Sequence, residues 1–156
     1  MNIVETPVTG REERDRLTPQ MRALSDFYRA LNARDMELMS RNWAQTDDAV
    51  MDNPVGGIRR GWEEIRAVYG RIFGSPARYW FEFYDYSYHE AGEIFYVTGR
   101  ERGQFGAGET PLKMAIRTTR VFRLVDGAWR QVHHHGSIDD PDLLAAYQRA
   151  VSVTPS

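Results

Sequence analysis

Three groups of residues in this chain have types and spacing that could do chemistry: His133-His134-His135, the arginines Arg100 and Arg120, and the acid–amide pair Asp52-Asn53. Imidazole changes charge near neutral pH, so one histidine in a pocket is a ready general acid or base. Two guanidiniums in one hollow would grip a planar anion with paired hydrogen bonds. Consecutive histidines also raise a metal centre, which needs about three protein ligands. Strand alternation leaves at most two of them on one face, and His133 and His135 have no evident third ligand. No metal and no cofactor is therefore expected. A glycine-rich phosphate loop, a nucleotide signature and a Ser-His-Asp spacing are all missing from the sequence.

The element that must position these groups is a long β-hairpin over residues 113–137. Asp126-Gly127 is its turn, since both residues tolerate positive φ. Before the turn, Met114, Ile116, Thr118, Arg120, Phe122 and Leu124 share one face. After it, Val132, His134 and Gly136 share one face, and Trp129, Gln131, His133 and His135 the other. Polar residues this dense in mid-strand suggest a sheet face that lines a cavity. On a concave face Arg120 and Thr118 point inward, and Arg100 on the neighbouring strand joins them. The alternative is that each arginine pairs with an internal acid such as Asp52, Asp85 or Glu101.

The remaining chain reads as helices, then strands, then one helix. Residues 1–17 lack periodicity and read as a loose, flexible arm. Thr18 caps a first helix with Pro19 at its first position, and Met21, Leu24, Phe27, Tyr28 and Leu31 form its buried face. Asp35 caps a second, shorter helix. Residues 49–52 and 58–60 are short strands, and Trp62, Ile65, Val68, Tyr69, Ile72 and Phe73 mark a third helix. Long strands follow over 78–89 and 93–105, and Asp140-Pro141 opens a closing helix bearing Leu143, Leu144, Tyr147 and Val151. This order predicts one α+β domain over 18–151 with a tail at 152–156. The architecture is a cone: helices packed in a strongly curved, mostly antiparallel β-sheet.

Composition narrows the function classes. A net charge of −2 over 156 residues gives no basic surface for nucleic acid. No segment could span a bilayer or act as a signal peptide, so a soluble cytoplasmic protein is expected. The absence of cysteine removes disulfides and thiol chemistry. Tyr79, Trp80, Phe81, Phe83, Tyr84, Tyr86 and Tyr88 crowd one strand. Either Phe81 and Phe83, or Trp80, Tyr84 and Tyr86, must face a partner or water, which points to a homodimer through the outer sheet face.

Two stretches carry a resemblance. Asp47 through Gly56, followed by Gly61-Trp62-Glu63-Glu64-Ile65 and Tyr69, resembles the ketosteroid isomerase and SnoaL-like families of the nuclear-transport-factor-two-like superfamily. Thr119-Arg120-Val121-Phe122, Asp126-Gly127-Ala128-Trp129 and 132–137 are similar to the association domain of calcium/calmodulin-dependent protein kinase II. The resemblance spans roughly residues 18–150 and implies the cone fold, which hosts isomerases, dehydratases, cyclases and non-enzymes alike.

For the site, the resemblance implies that His134, Val132 and Gly136 face the pocket, with His133 and His135 outside. It implies arginines at Arg100 and Arg120 for a small carboxylate. Where isomerases carry their proton-moving Asp, this chain has Asn53, with Asp52 beside it on the opposite strand face. The isomerase tyrosine falls at Phe27, next to Tyr28, and the oxyanion acid falls near Thr118 or Thr119. Steroid isomerisation is not expected. The expected site comprises His134 and Asp52 as proton carriers, with Arg100, Arg120, Thr118, Asn53, Tyr28 and Val132 holding a small, partly apolar, anionic molecule. The chemistry would be cofactor-free isomerisation, dehydration or cyclisation. A non-catalytic ligand-binding or oligomerisation module stands as the alternative.

Overall fold

The computed structural model describes residues 1–152. Local signals set the helices. Helix α1 (Pro19–Ala33) starts where the Thr18 side chain accepts the Met21 N–H, and ends at Arg34 with φ +55°. Helix α2 (Met36–Asn42) starts where Asp35 accepts the Leu38 N–H. Helix α3 (Trp62–Gly74) begins after Gly61, whose φ of +82° only glycine adopts readily. Helix α4 (Pro141–Ser152) closes the described chain. Of the expected tail, Ser152 is the last residue of α4 and 153–156 lie outside the described residues.

Among the described residues, seven strands form one sheet: β1 (Ile3–Val4), β2 (Val50–Asp52), β3 (Arg59–Arg60), β4 (Arg78–Ala91), β5 (Ile94–Gly106), β6 (Leu112–Val125) and β7 (Ala128–Ser137). Their order is β1-β4-β5-β6-β7-β2-β3. All neighbours run antiparallel except β2 and β7, which are parallel with Val50 opposite His133 and Asp52 opposite His135. The fold is α+β, as the element order implies. Leu24, Phe27, Tyr28 and Leu31 of α1 are buried against the concave face with Phe83, Phe95, Met114 and Phe122.

Two devices bend the sheet. Strand β4 carries a bulge between Tyr84 and Ser87, with Asp85 at φ +50°. Beside it, β5 presses against β4 at two glycines. A Cβ on Gly99 would stand 2.5 Å from the Tyr86 Cβ, and one on Gly103 would stand 1.9 Å from the Trp80 carbonyl oxygen. A second irregularity lies at Val121/Phe122, where β7 gains a residue: His133 opposes Val121 and Gln131 opposes Phe122. Val132 is that extra residue. Plain alternation fails there, so Gln131 turns inward with His134 and Gly136, and all three are buried.

Two further expectations are corrected. The arm at 1–17 is not loose: β1 pairs with β4, Val8 pairs with Phe83, and Glu12 accepts from Thr9, Gly10 and Ser25. The aromatic strand also divides differently, because the bulge brings Tyr86 inside with Phe81 and Phe83. Of the rings left outside, Tyr84 lies under the Arg102 guanidinium, 3.9 Å from its centroid. Arg100–Asp85 and Arg102–Glu82 pair across the same strands, while Trp80 stays 45% exposed.

Close packing at Gly103 predicts a stability test. Gly103→Ala drives a methyl into the β4 backbone and should destabilise by about 1–3 kcal/mol. Gly70→Ala, in the middle of α3 with open space around it, should stabilise by about 0.5–1 kcal/mol. Urea unfolding midpoints of the two variants check both signs.

Candidate functional site

Arg120 stands at the centre of the cone. Its place on β6 puts it on the inner face with Thr118 and Phe122, and its side chain is 2% exposed. A charge there must be matched. Its Nη2 donates to Glu101 Oε1 at 2.9 Å, its Nη1 to Gln131 Oε1 at 2.8 Å, and its Nε to the Tyr28 hydroxyl at 3.2 Å. The Tyr28 hydroxyl in turn donates to Glu101 Oε1 at 3.1 Å. The flat face of the guanidinium lies 3.6 Å from the Phe27 ring centroid. Gln131 Nε2 donates to Asn42 Oδ1, and Asn42 Nδ2 donates to the Ala23 carbonyl. The charge is thus wired through β7 to both N-terminal helices. Burial works against the Arg120 charge, but the oxygens of Tyr28, Glu101 and Tyr69 outweigh it and hold its pKa above the ordinary value. Burial pushes the Tyr28 hydroxyl well up, so it remains a donor.

In front of this network lies a cavity of about 70 Å³. Apolar walls come from Phe27, Leu31, Met51, Val68, Ile72 and Phe105; the polar groups are Asn53, Tyr69, Glu101, Arg120, His134 and Tyr147. Past Asn53, Val68, Ile72, Phe105 and Tyr147 it meets a larger hollow of about 300 Å³, lined further by Val55, Arg59, Arg71 and Val151. Helix α4 covers the mouth. Tyr147 sets its ring edge-on against Phe105, and Gln148 donates to the Val55 carbonyl.

His134 lies directly across from Arg120 in the β6–β7 ladder. Its Nδ1 faces the Thr119 carbonyl at 3.4 Å. A carbonyl only accepts, so Nδ1 carries the proton and Nε2 the lone pair. Gly136 makes room for the ring: a Cβ there would crowd His134 Nε2 at 3.2 Å. Burial, and then the Arg120 charge, lower the His134 pKa well below its ordinary value. Burial pushes the Tyr69 hydroxyl up to about 12 against the pull of Arg120, which leaves it a proton donor to the cavity. Asn53 Oδ1 is buried and has no partner among the described residues.

The structure gathers His134, Arg120 and Asn53 at the cavity, with Tyr28 behind them in the hydrogen-bond network. Thr118 faces the same interior, its buried hydroxyl without a partner among the described residues, but it does not line the cavity. Three expected residues fall elsewhere. Arg100 points outward and pairs with Asp85 at 3.0 Å, because Glu101 takes the inward position on β5. Val132 sits in the β7 bulge. Asp52 lies on the outer face beside His135, opposite in direction to the buried Met51. Gln131, Tyr69 and Tyr147 complete the site without a signal in the sequence, and Glu101 enters as the internal acid weighed as an arginine partner, as Asp85 does for Arg100. Glu101 had a readable signal: it shares strand parity with Phe95, Val97 and Phe105, all buried.

A family model described as a SnoaL-like domain matches residues 21–141. No curated protein matches the chain. Several solved structures do. A candidate dehydratase of the NTF2-like family from Streptomyces avermitilis is 24% identical with a TM-score of 0.67, over 74% of this chain and 89% of that one. A candidate calcium/calmodulin-dependent protein kinase type II association domain from Thiobacillus denitrificans is 25% identical with a TM-score of 0.68, over 79% and 96%. A candidate ketosteroid isomerase from Shewanella frigidimarina is 17% identical with a TM-score of 0.65, over 77% and 95%.

The Arg120–Glu101 geometry generates a double-mutant cycle. Arg120→Met leaves Glu101 buried without its cation and should cost about 3–5 kcal/mol. Arg120→Met with Glu101→Met removes both charges and should cost clearly less than the single change. Denaturant unfolding of wild type, both singles and the double measures this, and simple additivity of the two losses would refute it.

Proposed function

The chain belongs to the SnoaL-like domain family, and we propose that it is a cofactor-independent acid–base catalyst for a small, largely apolar carbonyl compound. The observation that carries this reading is a histidine lone pair at the wall of a largely apolar cavity, across from a buried guanidinium. Apolar walls with a few convergent polar groups are what small-molecule sites use. Among the structural neighbours, one is described as a candidate dehydratase and another as a candidate ketosteroid isomerase. Both names denote chemistry in which protons move without a redox change.

In this reading the substrate enters past Asn53 and Tyr147 and lays its apolar part against Phe27, Leu31, Ile72 and Phe105. Its carbonyl oxygen accepts from Arg120 and the Tyr69 hydroxyl. His134 Nε2 removes a proton from the carbon next to the carbonyl, and the electron pair moves onto the oxygen, where those donors stabilise it. Return of the proton from His134 to a different carbon gives isomerisation; its delivery by His134 to a β-hydroxyl, which leaves as water while the enolate electron pair forms the C=C bond, gives dehydration. Asn53 supplies an amide for a second polar group.

The charge balance narrows the expected ligand. Glu101 already matches Arg120, so the polar pole suits a neutral carbonyl whose charge develops during reaction better than a permanent carboxylate. A cavity of about 70 Å³ also favours a compact molecule over a steroid. One observation favours the non-catalytic alternative: Asn53 is an amide and takes up no proton near neutral pH.

Proton exchange separates the two readings. In D₂O, wild-type protein should speed deuterium uptake at the α-carbon of small cyclic ketones and enones, followed by NMR. His134→Gln should lose about 10²–10⁴ of that acceleration while retaining the fold by circular dichroism. Chemical-shift changes on adding the same compounds, with no exchange above buffer for any of them, would overturn the catalytic reading in favour of a binding module.

A further inference from the structure

The cavity uses one histidine of the three. The other two lie on the opposite face of β7, and there the parallel pairing of β2 adds a carboxylate to them. Val50 lies opposite His133 and Asp52 opposite His135, so Asp52, His133 and His135 share the outer face. One ligand atom from each falls within 4.8 Å of the others. We propose that this Asp-His-His group is a binding site for a divalent transition-metal ion such as Zn²⁺.

Three details support a ligand there over a chance surface cluster. His133 Nδ1 contacts the Val50 carbonyl at 2.9 Å, so it carries the proton and leaves the Nε2 lone pair free. Metal-binding histidines are held in this way, with one ring nitrogen on a carbonyl and the other on the ion. Asp52 Oδ1 is buried and unpartnered among the described residues, an acceptor that lacks the cation or donor it needs. Asp52 Oδ2 stands 3.4 Å from His135 Nδ1, so the carboxylate already sits between strand and ring. Directly opposite on β6, the cross-strand partners of the two histidines are Val121 and Thr119, neither of them charged.

Two nitrogens and a carboxylate oxygen suit Zn²⁺, Co²⁺ or Fe²⁺ and not the hard cations Ca²⁺ and Mg²⁺. Bonds of about 2.1 Å in a tetrahedron set ligand atoms about 3.4 Å apart. His135, whose side chain is 59% exposed, is free to rotate and close the gap from 4.8 Å. The exposed side leaves a coordination position for water. Asp52 thus reverses the expectation that the histidines have no third ligand. The missing partner comes from β2, far away in sequence, and only the parallel register brings it in.

An ion here would clasp β2 to β7 immediately before Asn53 and on either side of His134. The inference stands independently of the proposed reaction, because its test reads metal and not turnover. Untagged protein stripped with EDTA is titrated with Zn²⁺ by calorimetry and with Co²⁺ by visible absorption. The expected result is one ion per chain, ligand-field bands for Co²⁺ of low coordination number, and a melting temperature raised by Zn²⁺ and restored by EDTA. Asp52→Asn and His135→Gln should each weaken binding by more than the roughly 10–100-fold typical of losing an outer partner of a metal ligand. His89→Gln, on the same sheet but outside the cluster, should leave it unchanged. His135 is exposed, so its variant keeps the fold and the test stays readable if Asp52→Asn does not. Binding well below one ion per chain, or equal losses in His89→Gln, would overturn the site.

Discussion

A positive charge sealed inside a curved sheet is the constraint around which this molecule is arranged. Arg120 cannot reach water, so Glu101, Tyr28 and Gln131 must come to it from β5, α1 and β7. Each of those contacts also fixes a piece of the architecture. Tyr28 locks α1 into the cone, and Gln131 reaches through Asn42 to the α1–α2 packing. Glu101 sets which face of β5 looks inward. Replacing such a pair by apolar residues is often neutral or favourable for stability. In the proposed reaction the same pair would also hold a donor at the cavity wall.

Electrostatics and shape then divide the work in the cavity. Phe27, Leu31, Ile72 and Phe105 give the hollow apolar walls, and a low-dielectric wall strengthens the dipoles that face it. Burial and Arg120 together keep His134 in its neutral form, and burial keeps Tyr69 protonated. One acceptor and several donors thus face each other across a small space. That pairing is what the proposed proton transfer would draw on.

How much of this was legible in the sequence depends on how local each feature is. The caps at Thr18 and Asp35 and the Asp126-Gly127 turn are satisfied within a few residues, and they stand where the sequence puts them. Strand alternation likewise carries Arg120 inward, and the resemblance, not alternation, points His134 there. Features set by register were not legible. The β7 bulge at Val132 turns Gln131 inward and removes Val132 from the site, and no local residue type announces it. Arg100 points outward because Phe95, Val97 and Phe105 fix the inward parity of β5, which an arginine read from the resemblance does not obey. Asp52 was assigned to the pocket, while its strand pairs in parallel with β7 and directs it outward.

The same alternation makes register the deepest functional determinant here. His134 and its neighbours His133 and His135 differ by one step along β7, and one step carries a side chain from the dry interior to the wet exterior. A slip of a single residue would bury His133 or His135 beside Arg120 and expose His134, exchanging the two sites. What prevents it is spread over three strands. The bulge fixes β7 against β6, the Asp126-Gly127 turn fixes the hairpin end, and the His133–Val50 contact fixes β2 against β7. Gly136 reinforces the choice, since the His134 ring folds back over a position where any side chain would crowd it. The residues that hold the register are therefore as much part of the site as those that line it, although none of the hairpin's turn residues touches the cavity.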